Sequence, residues 1–137
     1  MATITPTAAN VRVGVGSSIG VGVAGEAISQ FEFLYRDGTD ANKYKLADNT
    51  TEPKASVVAV AVTNAALDGS VAFIPVVNGV VESTSSLWTL GMVYVASDTP
   101  GKLMDAADSV TGDFVTVVGV AESATRLRMV RNDPLEV

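Results

Sequence analysis

The sequence predicts a mainly β protein, a compact antiparallel β-barrel or sandwich with an extended N-terminal arm. Three observations point there. Hydrophobic residues make up 47% of the chain but aromatic ones only 6%, so the apolar mass is mostly Val and Ala. Valine is stiff at χ1 and packs well on a pleated surface, which favours strands over helices. Between Leu90 and Met129 the short apolar runs Met92–Ala96, Phe114–Val120 and Arg126–Val130 are separated by Asp98-Thr99-Pro100-Gly101 and Gly112-Asp113, residue types that supply the backbone angles of turns. Finally, the first 25 residues hold one charged side chain, Arg12, and interleave valine with Gly14, Gly16, Gly20, Gly22 and Gly25. At 137 residues the chain suits one domain, because domains cluster at about 100–150 residues and a core of that size needs no metal or disulfide.

Along the chain, residues 1–24 have little side-chain mass to bury, and their glycines raise the entropy cost of ordering them. They are expected as an arm that leans on a neighbour, with residues 25–137 as a single β domain. Ile4, Val11, Arg12, Val13 and Val15 are the candidate contact residues of the arm: an alternating strand of this kind can add to an exposed sheet edge, satisfying its backbone and burying valine methyls. Ser29–Arg36 and Lys43–Ala47 alternate like half-buried strands and predict a hairpin across Asp37–Asn42. From Ala55 to Ser97 only Asp68 and Glu82 are ionised, so the core is expected in Val57–Val62, Val71–Val77 and Val80–Glu82. Asn78-Gly79 predicts a type I′ hairpin between the last two runs. Asn64–Leu67 reads as loop or as one helical turn, and Trp88 as a core anchor rather than an exposed contact.

Chemistry is largely excluded by composition. The chain has no histidine and no cysteine, which removes the usual general base, the thiolate nucleophile, disulfides and Cys metal sites. Three weak patterns remain. Asp105 and Asp108 would share a face if Lys102–Ser109 turned helically, but a polar turn between strands is the expected reading. Asp37-Gly38-Thr39-Asp40-Ala41-Asn42, with Asp48, has some of a calcium loop's oxygens, yet Ala41 and Asn42 stand where such a loop needs an oxygen ligand and a glycine. Gly14–Gly20 is glycine-rich without the spacing of a phosphate loop. No cofactor is expected. A net charge of −6 and a pI near 4.4 argue against nucleic acid, whose phosphates need clustered Lys and Arg. Met1–Val13 lacks a basic, then apolar, secretion signal, and no run reaches the ~20 apolar residues of a membrane helix. The expected partners are therefore other proteins.

The order Gly25-Glu26-Ala27-Ile28, Ala55–Ala61, Asp68-Gly69-Ser70-Val71, Leu90–Ala96, Thr99-Pro100-Gly101-Lys102-Leu103, Gly112–Ala121 and Thr125–Met129 resembles the capsid cement, or head-decoration, proteins of tailed bacteriophages. The likeness runs from about Gly25 to the C-terminus in short strand-and-turn phrases without a catalytic signature. It implies a β domain that trimerises and binds the major capsid protein on the outer head surface, at three-fold and quasi-three-fold positions, with the N-terminal arm gripping the coat. The phrases are also similar to small β domains of head fibres and tail proteins, so a receptor-binding fibre module is the alternative. Such a module more usually exposes aromatic rings for glycan stacking. A carboxylate enzyme such as a small glycosidase needs two acids facing across a cleft, for which this Val-rich chain offers little wall.

Overall fold

The computed structural model describes residues 3–4, 11–13, 18–77, 79–83, 88–130 and 135–136. In chain order the strands are β1 Thr3–Ile4, β2 Val11–Val13, β3 Gly20–Val23, β4 Phe33–Asp37, β5 Lys43–Leu46, β6 Ala59–Ala61 and β7 Ser70–Pro75. They continue as β8 Val80–Ser83, β9 Val93–Ala96, β10 Leu103–Asp105, β11 Phe114–Val115, β12 Val117–Ser123, β13 Arg126–Met129 and β14 Leu135–Glu136. One antiparallel sheet has the order β1-β10-β9-β12-β13-β8-β2 and a second the order β3-β7-β6-β4-β5, while β11 and β14 form a separate ribbon. The protein is mainly β, and of the two architectures expected it takes the open one: two antiparallel sheets, neither of them a closed barrel. The run expected as a single strand over Phe114–Val120 is interrupted at Thr116, between β11 and β12.

The main core lies between the sheets. Phe33, Tyr35, Val60, Ile74 and Val76 from the five-stranded side meet Val81, Tyr94, Ala96, Leu103, Val118, Leu127 and Met129 from the other, with Trp88 among them. Each fully buried side chain of this size contributes about 1.5–3 kcal/mol relative to exposure. Because side chains alternate along a strand, the neighbouring residues Leu34, Ala59, Ala61, Val71 and Phe73 point to the opposite face. There they build a second apolar cluster with Ala24 and Ile28, against which Tyr44 and Leu46 pack.

That second cluster exists because the five-stranded sheet curls. Its outermost strands approach until Ala24 bridges Tyr44 and the Gly25 amide donates to the Tyr44 carbonyl at 2.8 Å. Side chains at positions 20 and 22 would meet the Phe73 and Tyr44 rings, so glycine is what allows the curl to tighten there. The seven-stranded sheet bends as well. Seven flat strands would set β1 and β2 about 29 Å apart at ~4.8 Å per strand, whereas the seven steps from Ile4 to Val11 reach at most about 25 Å.

Backbone bonds join the two sheets. The turn from β9 to β10 has the pattern of a type II turn, with Pro100 second, Gly101 third at φ +80° and the Lys102 amide donating to the Thr99 carbonyl at 3.1 Å. Gly101 then donates to the Ala47 carbonyl at 2.8 Å and accepts from the Phe33 amide at 2.9 Å. Thr89–Met92 and Val110–Asp113 repeat the pattern with Gly91 at φ +77° and Gly112 at +97°.

Three local expectations meet the structure differently. The β4–β5 hairpin across Asp37–Asn42 forms in the expected place, Asp37 opposite Lys43. Asn64–Leu67 is not helical: Ala65 bridges Ile28, and the only α-helical turn among the described residues is α1, Glu52–Ala55, capped by Thr51. The hairpin expected at Asn78-Gly79 does not form. β7 pairs with β3 and β6 while β8 pairs with β13 and β2, so the connection crosses from one sheet to the other. Asn78 itself lies outside the described residues. Gly79 lacks the positive φ of a type I′ turn, and a Cβ there would meet the Pro75 carbonyl, Ile74 and the Met129 methyl. The glycine serves a close crossing.

Gly79→Ala is therefore expected to destabilise the fold by about 1–3 kcal/mol through overpacking, measured by urea unfolding. Gly38→Ala, where only the Asn42 side chain comes within contact distance of a Cβ, is the control that should lose much less.

Candidate interaction surface

The residues expected to form a free arm take part in sheets of their own chain. Ile4 lies opposite Leu103; Val11, Arg12 and Val13 lie opposite Ser83, Glu82 and Val81. Val15 lies outside the described residues, as do residues 14–17 of the glycine-rich loop. β3, the last part of the segment, pairs along its whole length with β7. The physical reason is that an extended segment must satisfy its amides and carbonyls, and the open edges of these two sheets are the nearest partners.

The charged side chains mostly pair with one another. Lys45 meets Asp37 at 2.8 Å and Asp40 at 3.1 Å, and Lys43 meets Asp68 at 2.7 Å, tying the β4–β5 hairpin to the turn before β7. On the seven-stranded sheet Arg126 bridges Glu82 at 3.1 Å and Glu122 at 3.3 Å, and Arg128 joins Glu122 at 3.1 Å, a ladder of alternating sign. Lys102 lies 3.7 Å from Glu32, Lys54 3.9 Å from Asp48, and the Arg36 guanidinium sits over the Tyr44 ring at 5.8 Å.

This pairing decides the calcium-like pattern. The Asp37 Oδ1 accepts from the Thr39 amide at 2.9 Å and its hydroxyl at 2.6 Å, while Oδ2 accepts from Lys45. Asp48 instead accepts from the Thr50 amide and hydroxyl. The acids thus turn to separate local partners, with an ammonium where a cation would sit. Lys45 first, then Thr39, holds the Asp37 carboxyl at about 2; Asp37 in turn raises Lys45, and Asp68 raises Lys43. Burial, followed by the charge on Asp37, pushes the Tyr35 hydroxyl upward.

Asp105 caps and Asp108 ends a single 3-10 turn, Ala106–Asp108, where the Asp105 carboxylate accepts from the Ala107 amide at 2.9 Å. Asp113 does the same for the Val110 amide at 2.9 Å. These are turn-forming roles, as the polar-turn reading expects. Among the described residues no three His, Cys, Asp or Glu are placed to hold a metal, and no helix is long and apolar enough to cross a membrane.

All eight aromatic residues are described, and none is exposed. Phe31, Phe33, Tyr35, Phe73, Trp88 and Tyr94 are buried, Tyr44 and Phe114 half-buried. Trp88, at 6% exposure, is the core anchor expected of it. What the surface offers is aliphatic: Ile19, Val21 and Val23 along β3, and Leu67, Leu90 and Val110 at turns. Against known proteins the chain finds no match: no family model, curated protein or solved structure aligns with it significantly.

The Asp37 pair gives the hairpin an acid dependence with a definite sign. Its carboxyl titrates below the ordinary 3.8, so the ionised form favours the folded state, fully above about pH 4 and progressively less as pH falls through 2. Stability measured by urea unfolding at pH 4, 3 and 2 is expected to fall less steeply in Asp37→Asn than in the parent chain; equal slopes would remove Asp37 from the acid response.

Proposed function

We propose that this chain is a structural virion protein that binds the outer surface of a tailed-phage capsid as a homotrimer and stabilises the coat-protein lattice at three-fold and quasi-three-fold positions. The observation that carries the reading is the internal use of the chain's reactive and recognition groups. The described lysines, Arg126 and Arg128 face carboxylates of the same chain, and every aromatic ring is buried or half-buried. Among the described residues such a surface has no basic track for phosphates and no open ring for stacking on a sugar or base. It retains exposed aliphatic side chains such as Val21, Leu67 and Leu90, a means by which one protein lies against another.

The kind of protein comes from the resemblance of the strand-and-turn phrases to head-decoration proteins. Acidity fits the exterior of a head, where a negative layer is repelled by nucleic acid and keeps particles apart. The buried aromatics favour decoration over a receptor-binding fibre. A molecule that binds only the assembled lattice stabilises it by linkage, by about 2.7 kcal/mol at a hundredfold excess over Kd, and three copies joined in one trimer raise avidity by about 10²–10⁴. In this mechanism Ile4, Val11, Arg12, Val13 and Val15 reach the coat protein only by leaving pairings such as Ile4 with Leu103 and Arg12 with Glu82. A trimer that keeps those strands in place and docks through its surface is the simpler form.

The test is co-sedimentation of the purified chain with shells assembled from a tailed-phage major coat protein, together with the mass of the free chain in solution. Binding to shells but not to unassembled coat protein, and a solution mass three times the 14.1 kDa of one chain, are expected. Absence of shell binding sinks the proposal. Deleting residues 1–13 separates the two docking modes: the surface mode keeps shell binding and the arm mode loses it, provided circular dichroism shows the truncated chain folded.

A further inference from the structure

Buried polar side chains gather at one seam between the sheets. Among the described residues the polar or charged ones that are buried are Asp48, Asn49, Ser83, Ser97 and Thr116, and all but Ser83 fall where β9 and β12 part. The ladder of these two strands ends with Val117 opposite Val95, so the next residue, Thr116, comes level with Ala96. Beyond that point Asn49, three residues past the end of β5, stands between the two chains. Its amide donates to the Ser97 carbonyl at 3.1 Å, and its carbonyl accepts from the Phe114 amide at 3.0 Å. Phe114 and Val115 pair instead with β14. Asn49 is thus held by residues that lie within two positions of Thr116 on one strand and directly after Ala96 on the other.

Most polar groups at this fork are satisfied within the chain. The Asp48 carboxylate accepts from the Thr50 amide at 2.9 Å and its hydroxyl at 2.6 Å. The Ser97 hydroxyl donates to the Thr99 carbonyl at 3.2 Å and accepts from the Thr99 amide at 2.9 Å. The Asn49 Nδ2 and the Thr116 Oγ1, however, are buried with no hydrogen-bond partner among the described residues, and the two residues are only 2% and 1% exposed. A buried donor left unpaired loses its hydration without recompense, and folded interiors hold very few.

We propose that an ordered water occupies this fork, accepting from the Asn49 Nδ2 and bonding to the Thr116 hydroxyl. The chemistry of the two groups selects it. An amide nitrogen can only donate, whereas a hydroxyl donates or accepts, so the shared ligand has to accept from at least one of them. A cation would face the amide donor, and an anion would lie beside the Asp48 carboxylate. Water is neutral, accepts and donates, and is held in protein interiors by two to four polar partners. Its effect is to extend through side chains the link that Asn49 makes through its backbone, so that the chain leaving the five-stranded sheet is fastened to both arms of the fork in the other.

The experiment has two parts, both on the full chain. In a crystal structure that resolves solvent, a water within hydrogen-bond distance of both the Asn49 Nδ2 and the Thr116 Oγ1 is expected; no water between them, or a chain group bonded to either in its place, overturns the site. In urea unfolding, Thr116→Val removes the hydroxyl at nearly constant shape. An orphaned hydroxyl would make that change neutral or stabilising, whereas a water-bound one should lower the folding constant roughly fivefold, the factor that matches a typical hydrogen bond's net contribution. A midpoint that is unchanged or raised overturns the proposal. In an Asn49→Ala background the same substitution should cost less, because the water has already lost its donor; equal losses in the two backgrounds show that the groups share no water. None of these readings involves shell binding, so this site and the proposed capsid role fail independently.

Discussion

The five-stranded sheet is apolar on both faces, and the rest of the architecture follows from covering both. One face is covered by the seven-stranded sheet, through Phe33, Tyr35, Val60, Ile74 and Val76. The other has no second sheet to cover it, so the strands bend until Tyr44 and Leu46 close over Leu34, Ala59, Ala61 and Phe73. Bending on that radius leaves little room inside. The small residues follow from it: alanine at 59 and 61 in the middle of the curl, and glycine at 20 and 22 where the Phe73 and Tyr44 rings press against the closing strand.

This constraint also separates what could be read locally from what could not. The alternation of Ser29–Arg36 and the Asp37–Asn42 turn are complete within about fifteen residues, and their hairpin forms there, although its first strand begins only at Phe33. The continuous apolar run Val57–Val62 was a sound sign of core, because a strand buried on both faces has no polar side to alternate with. The Gly-Val segment before Ala24 misled for a related reason. It looks too light to belong to a fold because its missing bulk is supplied by Phe73 and Tyr44, which are distant in sequence. Asn78-Gly79 misled because a tight turn and a close crossing both call for glycine, and only the pairing partners of β7 and β8 distinguish them. No local signal specifies which sheet a strand will join.

The candidate surface was legible in kind but not in place. Composition alone, with no histidine, no cysteine and an acidic balance, pointed away from catalysis and nucleic acid. The assignment of surface to particular residues depended on the partner of each charge. Asp37, Asp40 and Asp48 resemble ligands in sequence, yet two of them are drawn toward Lys45, which reaches them from the return strand of the hairpin. That lysine converts a chelating spacing into a brace. Exposed ion pairs of this type are individually worth little, about 0–1 kcal/mol; their collective effect is to leave few unpaired charges for a partner to recognise.

What remains for recognition is exposed aliphatic carbon, at positions such as Val21, Leu67 and Leu90. A small acidic domain gains solubility from its charge, yet an unguarded valine edge exposes it to unwanted pairing. The chain places lysines on β5 and an alternating ion-pair ladder across β8, β12 and β13, and it turns the end of β3 onto β5 through the bridge between Ala24 and Tyr44. Ile19, Val21 and Val23 nevertheless remain 51%, 71% and 44% exposed, so aliphatic carbon stays on the outer face of that strand.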